Sequence, residues 1–444
     1  MFTTAAVATN VCALPVGTVL DKYGPRVSGI IGSVLLAIGS LLLAFAVQLP
    51  FDAYIPGYVL LALGGPFIFI SSFQLSNTFP RHSGLILALL TGAFDSSSAV
   101  FLFYRLIYSA TNGAFTPQKL FSAYLVVPLF ILIVQIFIMP SSSYKSLGEL
   151  LARADDPSND IQPADADIDD QAQVDQVREG RRRHRESVVT EVTSLLGKNG
   201  ENKKQKEDER RMDTSGVWGA LHGQSALQQI KTPWFILIAL FTVVQMTRIN
   251  YFVATIRPQY EYLLKDSTLA QHVNNVFDVA LPVGGVLSIP FIGLVLDHTS
   301  TIFVLNLLVV TATTIGILGL LPYTWAAYAN IVLFVLYRPL YYTAVSDYAA
   351  KVFGFHTFGK VYGLIICLAG LLNFSQSALD ALTHKAFDGD PMPVNVFLLL
   401  VALVVGLALV GYVWRKSRSI EREELEEEAE EAEEMVMPVA SDTP

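Results

Sequence analysis

Long, nearly uninterrupted runs of apolar residues alternate with short polar stretches along most of this chain. A transmembrane helix needs about 20 predominantly apolar residues to cross the hydrocarbon core of a bilayer. Runs of that length occur near residues 2–20, 27–49, 56–75, 84–106, 120–140, 233–255, 273–296, 301–321, 324–346, 359–382 and 393–414. The strands of a membrane barrel are shorter and alternate in polarity, so these runs exclude that architecture. The pattern predicts an all-α integral membrane protein with eleven spans.

Two strongly charged segments interrupt this pattern. Residues 141–230 hold 13 Lys/Arg and 17 Asp/Glu, and residues 415–444 hold 4 and 11. Segments this polar bury too little apolar surface to fold, so we expect a disordered loop and a tail that is either a solvated helix or disordered. The predicted order is an N-terminal membrane bundle of five spans (1–140), a cytoplasmic central loop (141–230), a C-terminal bundle of six spans (231–414) and an acidic cytoplasmic tail (415–444).

Lysine and arginine residues in the loops indicate orientation, because they favour the cytoplasmic side of a membrane. One set of loops carries most of them, including the charged central loop and Lys22, Arg26, Arg81, Lys351, Lys360, Arg415, Lys416 and Arg418. The opposite set carries Lys119, Arg257, Lys265 and Lys385. We therefore expect the first set of loops and the C-terminus to be cytoplasmic. The net charge of -9 belongs to the central loop and the tail, so it indicates no nucleic-acid partner.

The first cytoplasmic turn, GTVLDKYGPR, has the pattern G-x-x-x-D-K-x-G-x-R. Gly17 permits the close approach of another helix, and Asp21 could accept hydrogen bonds from a helix N-terminus or pair with a cation. Gly24 permits a left-handed turn that the following proline stiffens. Arg26, four residues after Lys22, begins the next span. We interpret these residues as a motif that controls a conformational switch.

A second copy of this pattern follows the central loop. The stretch GLVLDH at residues 293–298 repeats G-x-x-x-D through Gly293 and Asp297, in a turn that is also predicted to be cytoplasmic. A motif and its echo in two bundles joined by a long loop resemble the signature turns of the major facilitator superfamily. That family has two six-helix halves around a central solute site. The resemblance implies a transporter with a major facilitator fold.

The resemblance also makes the first apolar run of this chain equivalent to the second helix of the family. We therefore expect that the usual first helix is missing because the chain is truncated, as a gene-model artefact or a short isoform. A true eleven-span protein is the alternative.

Several stretches resemble a narrower group, solute carrier family 43 and its fungal relatives. They are GAFDSSSAVFLFYRLIY at 92–108, MTRINYFVATIRPQYEYLL at 246–264, FGKVYGL at 358–364 and GDPMPVNVFLLL at 389–400. This resemblance implies movement of large neutral amino acids across a membrane, passively or coupled to another solute. Asp95 departs from the small or neutral residue expected there, so the substrate of this chain could differ.

Polar and ionisable residues inside the predicted spans are candidates for solute binding, because such groups are costly in lipid and usually face the bundle interior. The candidates are Asp95, Ser96, Ser97, Gln245, Arg248, Asn250, Tyr251, Arg338, Asn373 and Gln376. Asp95 could bind a proton or a substrate amine, or it could form a structural ion pair with Arg248. Arg248 could instead hold a substrate carboxylate through its forked donors. Arg338 could act as a gate or as part of a structural pair.

The residues give no sign of an enzyme. The two cysteines, Cys12 and Cys367, lie in separate apolar runs, and no His, Cys or acidic cluster has the spacing of a metal site or of a nucleophile and its base. We therefore expect no cofactor and no metal. The central loop does contain EVTSLL, in which Glu191 precedes Leu195 and Leu196. This resembles an acidic dileucine signal read by sorting adaptors, which favours the vacuolar membrane, with the plasma membrane as the alternative.

The predicted function is secondary transport of a small solute, with neutral amino acids favoured and proton coupling left open. We expect alternating access, in which two bundles rock about a site near the midplane of the bilayer. A nutrient sensor built on a transporter scaffold and a truncated, non-transporting isoform are the alternatives.

Overall fold

The computed structural model describes residues 2–79, 82–97, 99–140, 178–180, 182–183 and 215–436. The side chains at residues 2–6, 77–78, 95, 421 and 423–436 lie outside that description. The chain forms two compact units, one of Met1–Ser143 with Ser215–Pro444 and one of Tyr144–Thr214. In the smaller unit, the described residues are helical, and Glu179 forms an exposed ion pair with Arg183 at 2.8 Å.

The regular secondary structure in the described part of the larger unit is helical, as the apolar runs predict. Its N-terminal half contains α1 (Phe2–Val11), α2 (Ala13–Ala44), α3 (Tyr54–Ser72), α4 (Leu75–Thr78), α5 (Ser83–Ser96), α6 (Ala99–Ala110), α7 (Pro117–Tyr124) and α8 (Val126–Phe137). Its C-terminal half contains α9 (Ala226–Ile230), α10 (Pro233–Leu264), α11 (Ser267–His298), α12 (Thr301–Leu318), α13 (Thr324–Phe353), α14 (Phe358–Leu372), α15 (Ser375–Ala386) and α16 (Met392–Val436).

Within the described part of the chain, nine helical stretches are long and apolar enough to cross a membrane. The eleven predicted runs differ from them at two places. The runs at 2–20 and 27–49 fall in one stretch, Val7–Ala44, in which two helical segments meet at a kink where Gly24 has non-helical φ and ψ. The run at 324–346 falls in α13, which has 30 residues but lacks the apolar composition of the others.

A short link joins α10 and α11, which have 32 residues each. Lys265 ends α10 in the left-handed conformation, with φ 54° and ψ 27°. Asp266 then caps α11, because its side chain accepts hydrogen bonds from the backbone N–H groups of Thr268 at 2.9 Å and Leu269 at 3.1 Å. This local geometry folds the two helices back on each other as an antiparallel pair.

The last residues before α10 are packed, so the prediction of disorder up to residue 230 is wrong for residues 215–230. Val217 and Leu221 are buried, and backbone N–H groups of this segment donate to carbonyl groups at the end of α13. Gln229 is fully buried; its Nε2 donates to the carbonyl oxygens of Leu221 and Phe353 at 2.9 Å each, and its Oε1 accepts from Thr357 at 2.7 Å. This part of the segment has few charges, and the buried amide gives it fixed partners.

The two halves of the larger unit share one apolar core. Helices α1 and α2 pack against α14, and α5 packs against α11 and α13. Helix α16 begins within the C-terminal half and its helical backbone continues into the acidic tail as far as Val436. The packing of α2 on α14 and of α5 on α11 places the G-x-x-x-D turns at the contact between the halves.

Candidate functional site

The carboxylate of Asp21 binds the N-terminus of a helix in the opposite half. Its Oδ1 accepts a hydrogen bond from the backbone N–H of Gly359 at 3.0 Å, and its Oδ2 accepts one from the N–H of Lys360 at 2.9 Å. Both donors belong to the first turn of α14, where backbone N–H groups have no partner within the helix. A negative charge at this position also interacts favourably with the helix dipole.

Asp297 makes the same arrangement in reverse. Its Oδ1 accepts from the N–H of Gly84 at 2.7 Å, and its Oδ2 accepts from the N–H of Leu85 at 3.2 Å. These donors lie in the first turn of α5, in the N-terminal half. Each half therefore supplies one carboxylate and one helix end, and we call the two contacts the reciprocal caps.

The glycine four residues before each aspartate brings the backbones together. A Cβ on Gly17 would overlap the carbonyl oxygen of Gly359, and a Cβ on Gly293 would lie 2.8 Å from the Cα of Leu85. Both distances are shorter than a side chain tolerates. The two G-x-x-x-D stretches thus use glycine for close approach and aspartate for capping.

The rest of the first motif shapes the turn and ties it to its own half. Gly24 has φ 80° and ψ 174°, a backbone conformation that is essentially restricted to glycine. The Nε of Arg26 donates to the carbonyl oxygen of Met139, just after α8, at 2.6 Å. Lys22 is exposed, with its Nζ 5.1 Å from the ring centroid of Tyr23.

A buried ion pair beside Asp297 was not among the sequence-based candidates. The Nζ of Lys351 lies 2.7 Å from a carboxylate oxygen of Asp347 and donates to the carbonyl oxygen of Leu296 at 3.2 Å. Lys351 therefore binds the last turn of α11, next to the residue that caps α5. The i,i+4 spacing of the pair was visible in the sequence, but its burial was not.

Three of the predicted polar residues meet where α14 ends and α15 begins, and we call them the polar seam: Asn250, Asn373 and Gln376. The Nε2 of Gln376 donates to the backbone carbonyl of Asn250 at 3.3 Å. Asn373 is 3% exposed, and neither its Oδ1 nor its Nδ2 has a hydrogen-bond partner. Buried amides are normally paired, so these two atoms are available to a solute or to water.

Two further candidates, Arg338 and Tyr251, contact neighbouring side chains. The guanidinium carbon of Arg338 lies 5.9 Å from the ring centroid of Tyr342, a cation–π arrangement in α13. The hydroxyl of Tyr251 shares a hydrogen bond of 2.8 Å with Thr383 of α15. The contact of Tyr251 joins α10 to α15, whereas that of Arg338 lies within α13.

The candidates near the end of α5 make local contacts. The hydroxyl of Ser96 donates to the carbonyl of Gly92, and that of Ser97 donates to the carbonyl of Phe94 at 2.6 Å. These bonds occupy the hydroxyl protons at the break between α5 and α6. The side chain of Asp95 lies outside the described residues, as do the predicted sorting residues Glu191, Leu195 and Leu196.

Gln245 and Arg248 turn away from the polar seam, toward a cavity inside the C-terminal half. Their side chains are joined by a hydrogen bond of 3.2 Å, as the three-residue spacing predicts. The cavity has a volume of about 60 Å³ and lies between α10, α12, α13 and α16. Its lining includes the polar residues Gln245, Arg248, Tyr251, Gln259, Asn330, Tyr337 and Asn395, and we call it the Arg248 chamber. No group of metal-ligating side chains occurs in the described parts of the chain.

Comparison with known proteins places this geometry in a family. A model of the Major Facilitator Superfamily matches residues 1–376. The chain is 46% identical to protein FMP42 of Saccharomyces cerevisiae over 432 residues, which covers 93% of this chain and 83% of that protein. It is 23% identical to equilibrative nucleobase transporter 1 of Bos taurus, over 91% of this chain and 81% of the relative.

A shorter match is to the large neutral amino acids transporter small subunit 3 of Homo sapiens. It has 31% identity over 114 residues, or 24% of this chain and 20% of that protein. Among solved structures, the fold is similar to that of the proton:xylose symporter XylE, with a TM-score of 0.57, 15% identity and coverage of 93% of this chain and 84% of the other. The family model spans most of the sequence and both G-x-x-x-D turns, and this protein belongs to the major facilitator superfamily.

Proposed function

We propose that this protein is a secondary transporter that moves a small solute, favoured to be a neutral amino acid, across a membrane by alternating access. The observation that carries the proposal is the pair of reciprocal caps, in which Asp21 binds the start of α14 and Asp297 binds the start of α5. By the distribution of basic residues, both contacts lie at the cytoplasmic ends of their helices. They close the cytoplasmic side of the molecule.

The reciprocal caps suit a switch because their strength is moderate. A carboxylate at a helix N-terminus contributes about 0.3–1 kcal/mol, and up to about 2 kcal/mol when partly buried. Two such contacts change the equilibrium between the closed and open states by roughly threefold to several hundredfold, since about 1.4 kcal/mol corresponds to a factor of ten. Solute binding or release can supply a free-energy difference of that size.

The polar seam is the proposed solute site. Asn373 offers one unpaired donor and one unpaired acceptor in a buried position, and Gln376 and Asn250 lie beside it. A zwitterionic amino acid needs both kinds of partner. The resemblance to solute carrier family 43 and the name of the human relative support a neutral amino acid, whereas the name of the bovine relative supports a nucleobase as the second candidate.

The test is solute uptake by the purified chain in vesicles, with labelled leucine, phenylalanine and adenine, with and without a pH gradient. Asp21→Asn and Asp297→Asn should each slow uptake more than they weaken binding, because an amide has one acceptor oxygen where the carboxylate uses two. Asp52→Asn is the matched control, since Asp52 caps Tyr54 within its own half. Unchanged uptake in both cap variants would contradict the mechanism, and binding without uptake would identify a sensor.

We also propose the vacuolar membrane as the location and a sorting adaptor as a partner, with the plasma membrane as the alternative. Support comes from the sequence pattern of Glu191, Leu195 and Leu196 alone. Replacement of both leucines by alanine should move a fluorescently tagged chain away from the vacuole. An unchanged distribution of the tagged chain would show that the two leucines do not act as a sorting signal.

A further inference from the structure

The Arg248 chamber contains a half-buried positive charge. The Nη1 of Arg248 donates to the side-chain oxygen of Gln245 at 3.2 Å, and its Nη2 donates to the backbone carbonyl of Ala312 at 3.0 Å. Among the residues that the structure describes, no aspartate or glutamate forms an ion pair with it. An arginine has five N–H donors, and a charge withdrawn from water without a counter-charge is costly. The chamber therefore favours a ligand that carries one negative charge.

Two other polar atoms of the chamber also lack partners. The hydroxyl of Tyr337 has no hydrogen-bond partner although the residue is 2% exposed, and the Oδ1 of Asn330 has none although that residue is 1% exposed. The Nδ2 of Asn330 is already used, because it donates to the hydroxyl of Tyr260 at 3.0 Å. Groups this deeply buried are normally paired. A donor and an acceptor thus remain for whatever occupies the chamber.

The remaining walls are apolar and define the body of the ligand. They are formed by the side chains of Ile249, Phe252, Ile315, Phe334 and Leu398. A volume of about 60 Å³ exceeds the 10–15 Å³ or so that a single water requires on the same measure. The chamber can therefore hold a compact group with a polar head and an aliphatic part.

The chamber is separate from the polar seam. On α10, Gln245, Arg248 and Gln259 recur at intervals that place them on one face, whereas Met246 and Asn250 lie on another. Met246 packs with Ala369 toward α14, while Arg248 reaches Ala312 of α12. One helix thus contributes to two sites that face different directions.

We propose that the Arg248 chamber binds the carboxylate group of a small aliphatic acid, with Arg248 and the hydroxyl of Tyr337 as the donors. The acid could be a simple carboxylate or an amino acid, whose ammonium group would take the Oδ1 of Asn330. This site is independent of the solute site proposed at the polar seam.

Calorimetric titration of the full chain in detergent, in a chloride-free buffer, tests this assignment. The probes are 4-methylpentanoate, its neutral isostere 4-methylpentanamide, leucine and chloride. We expect 4-methylpentanoate to bind and the amide to bind at least tenfold more weakly, because only the acid carries a negative charge that can pair with Arg248. Tighter binding of leucine than of 4-methylpentanoate would identify an amino acid as the natural source of the carboxylate, and weaker binding would identify a simple acid.

Variants locate the site. Arg248→Gln should abolish binding of 4-methylpentanoate, and Tyr337→Phe, which keeps the shape of the ring, should weaken it by about threefold to tenfold. Tyr341→Phe is the matched control, because the hydroxyl of Tyr341 donates to the carbonyl of Thr242 instead of facing the chamber. If Arg248→Gln does not fold, the contrast between Tyr337→Phe and Tyr341→Phe decides the question.

Three outcomes would overturn the proposal. The first is equal binding of the acid and the amide, and the second is binding of chloride but not of the acid. The third is a Tyr337→Phe variant that binds 4-methylpentanoate as tightly as the unmodified chain. If the unmodified chain takes up no leucine but binds 4-methylpentanoate, the result would count against the transporter function and leave the proposed role of the Arg248 chamber unchanged.

Discussion

Gly17 and Gly359 face each other across the two halves without room for a side chain between them. A Cβ on Gly17 would meet the carbonyl oxygen of Gly359, and a Cβ on Gly359 would meet Asp21 and the carbonyl oxygen of Gly17. The close approach is what allows Asp21 to reach the first turn of α14. The glycine pair and the cap therefore form one structural unit.

Gly17→Ala should separate α2 from α14 and break both hydrogen bonds of Asp21. Overpacking of this kind typically costs about 1–3 kcal/mol, which corresponds to roughly a tenfold or greater loss of the closed state. Uptake in vesicles, and the rate at which a reagent labels the cytoplasmic side of the protein, would measure this loss of the closed state. Gly65→Ala is the control, because nothing lies within 4 Å of the position of its Cβ. Equal behaviour of the two variants would show that the approach of α2 to α14 is not required.

Gln229→Ala should destabilise the C-terminal half. The buried amide pairs with the carbonyl oxygens of Leu221 and Phe353 and with the hydroxyl of Thr357, and each group left unpaired costs about 1–3 kcal/mol. We expect a clear fall in the thermal midpoint in detergent. The exposed Gln224 provides the control, since Gln224→Ala removes no buried partner. A midpoint that stays the same in both variants would mean that residues 215–232 do not support the fold.

Lys351→Met should leave the carboxylate of Asp347 buried without a counter-charge. Removing one partner of a buried ion pair typically costs about 3–5 kcal/mol. The double variant Lys351→Met with Asp347→Leu should recover much of that loss, because no charge remains. The i,i+4 pair of Arg257 and Glu261 is exposed, so Arg257→Ala should change stability by less than about 0.5 kcal/mol. A double variant less stable than Lys351→Met would contradict this account.

The contribution of Asp266 to stability, at the link between α10 and α11, should depend on pH. Hydrogen bonds from the hydroxyl of Thr268, and from the backbone N–H groups of Leu269 and Thr268, lower the pKa of its carboxyl group. The stabilisation is therefore complete above the pKa of the unfolded chain, about 3.9, and is lost as the pH falls through the lower folded value. The thermal midpoint of the unmodified chain should exceed that of Asp266→Asn near pH 6, and the difference should shrink as the pH falls below about 4. A difference that does not change with pH would exclude this cause.

Much of the fold could be predicted from the sequence because lipid imposes long apolar runs. The prediction of spans was less accurate where the composition of a helix and its length disagree. Gly24 interrupts the helical geometry within α2, where the sequence places a turn between two spans. Helix α13, in contrast, carries Asn330, Arg338 and Asp347 within a helix of otherwise sufficient length.

The candidate site could be predicted in kind but not in detail. The residue type and position of Asp21 indicated a helix N-terminus or a cation as its partner, and the helix end that it binds lies 338 residues away and depends on tertiary packing. Spacing placed Gln245 and Arg248 on one face of α10 but did not indicate which helices that face meets. Gln229 was missed because it lies at the end of a segment whose average charge is high, although its own surroundings are apolar.

The reciprocal caps constrain where residues can be inserted in this chain. One residue inserted into α14 just after Lys360 would rotate the two backbone donors of Asp21 by roughly 100° relative to the rest of that helix, and the same holds for an insertion into α5 just after Leu85 and the donors of Asp297. The loop at Asp388 and Gly389 has no such partner helix end in the described structure. Tolerance to insertions should therefore be much lower at the starts of α5 and α14 than in that loop.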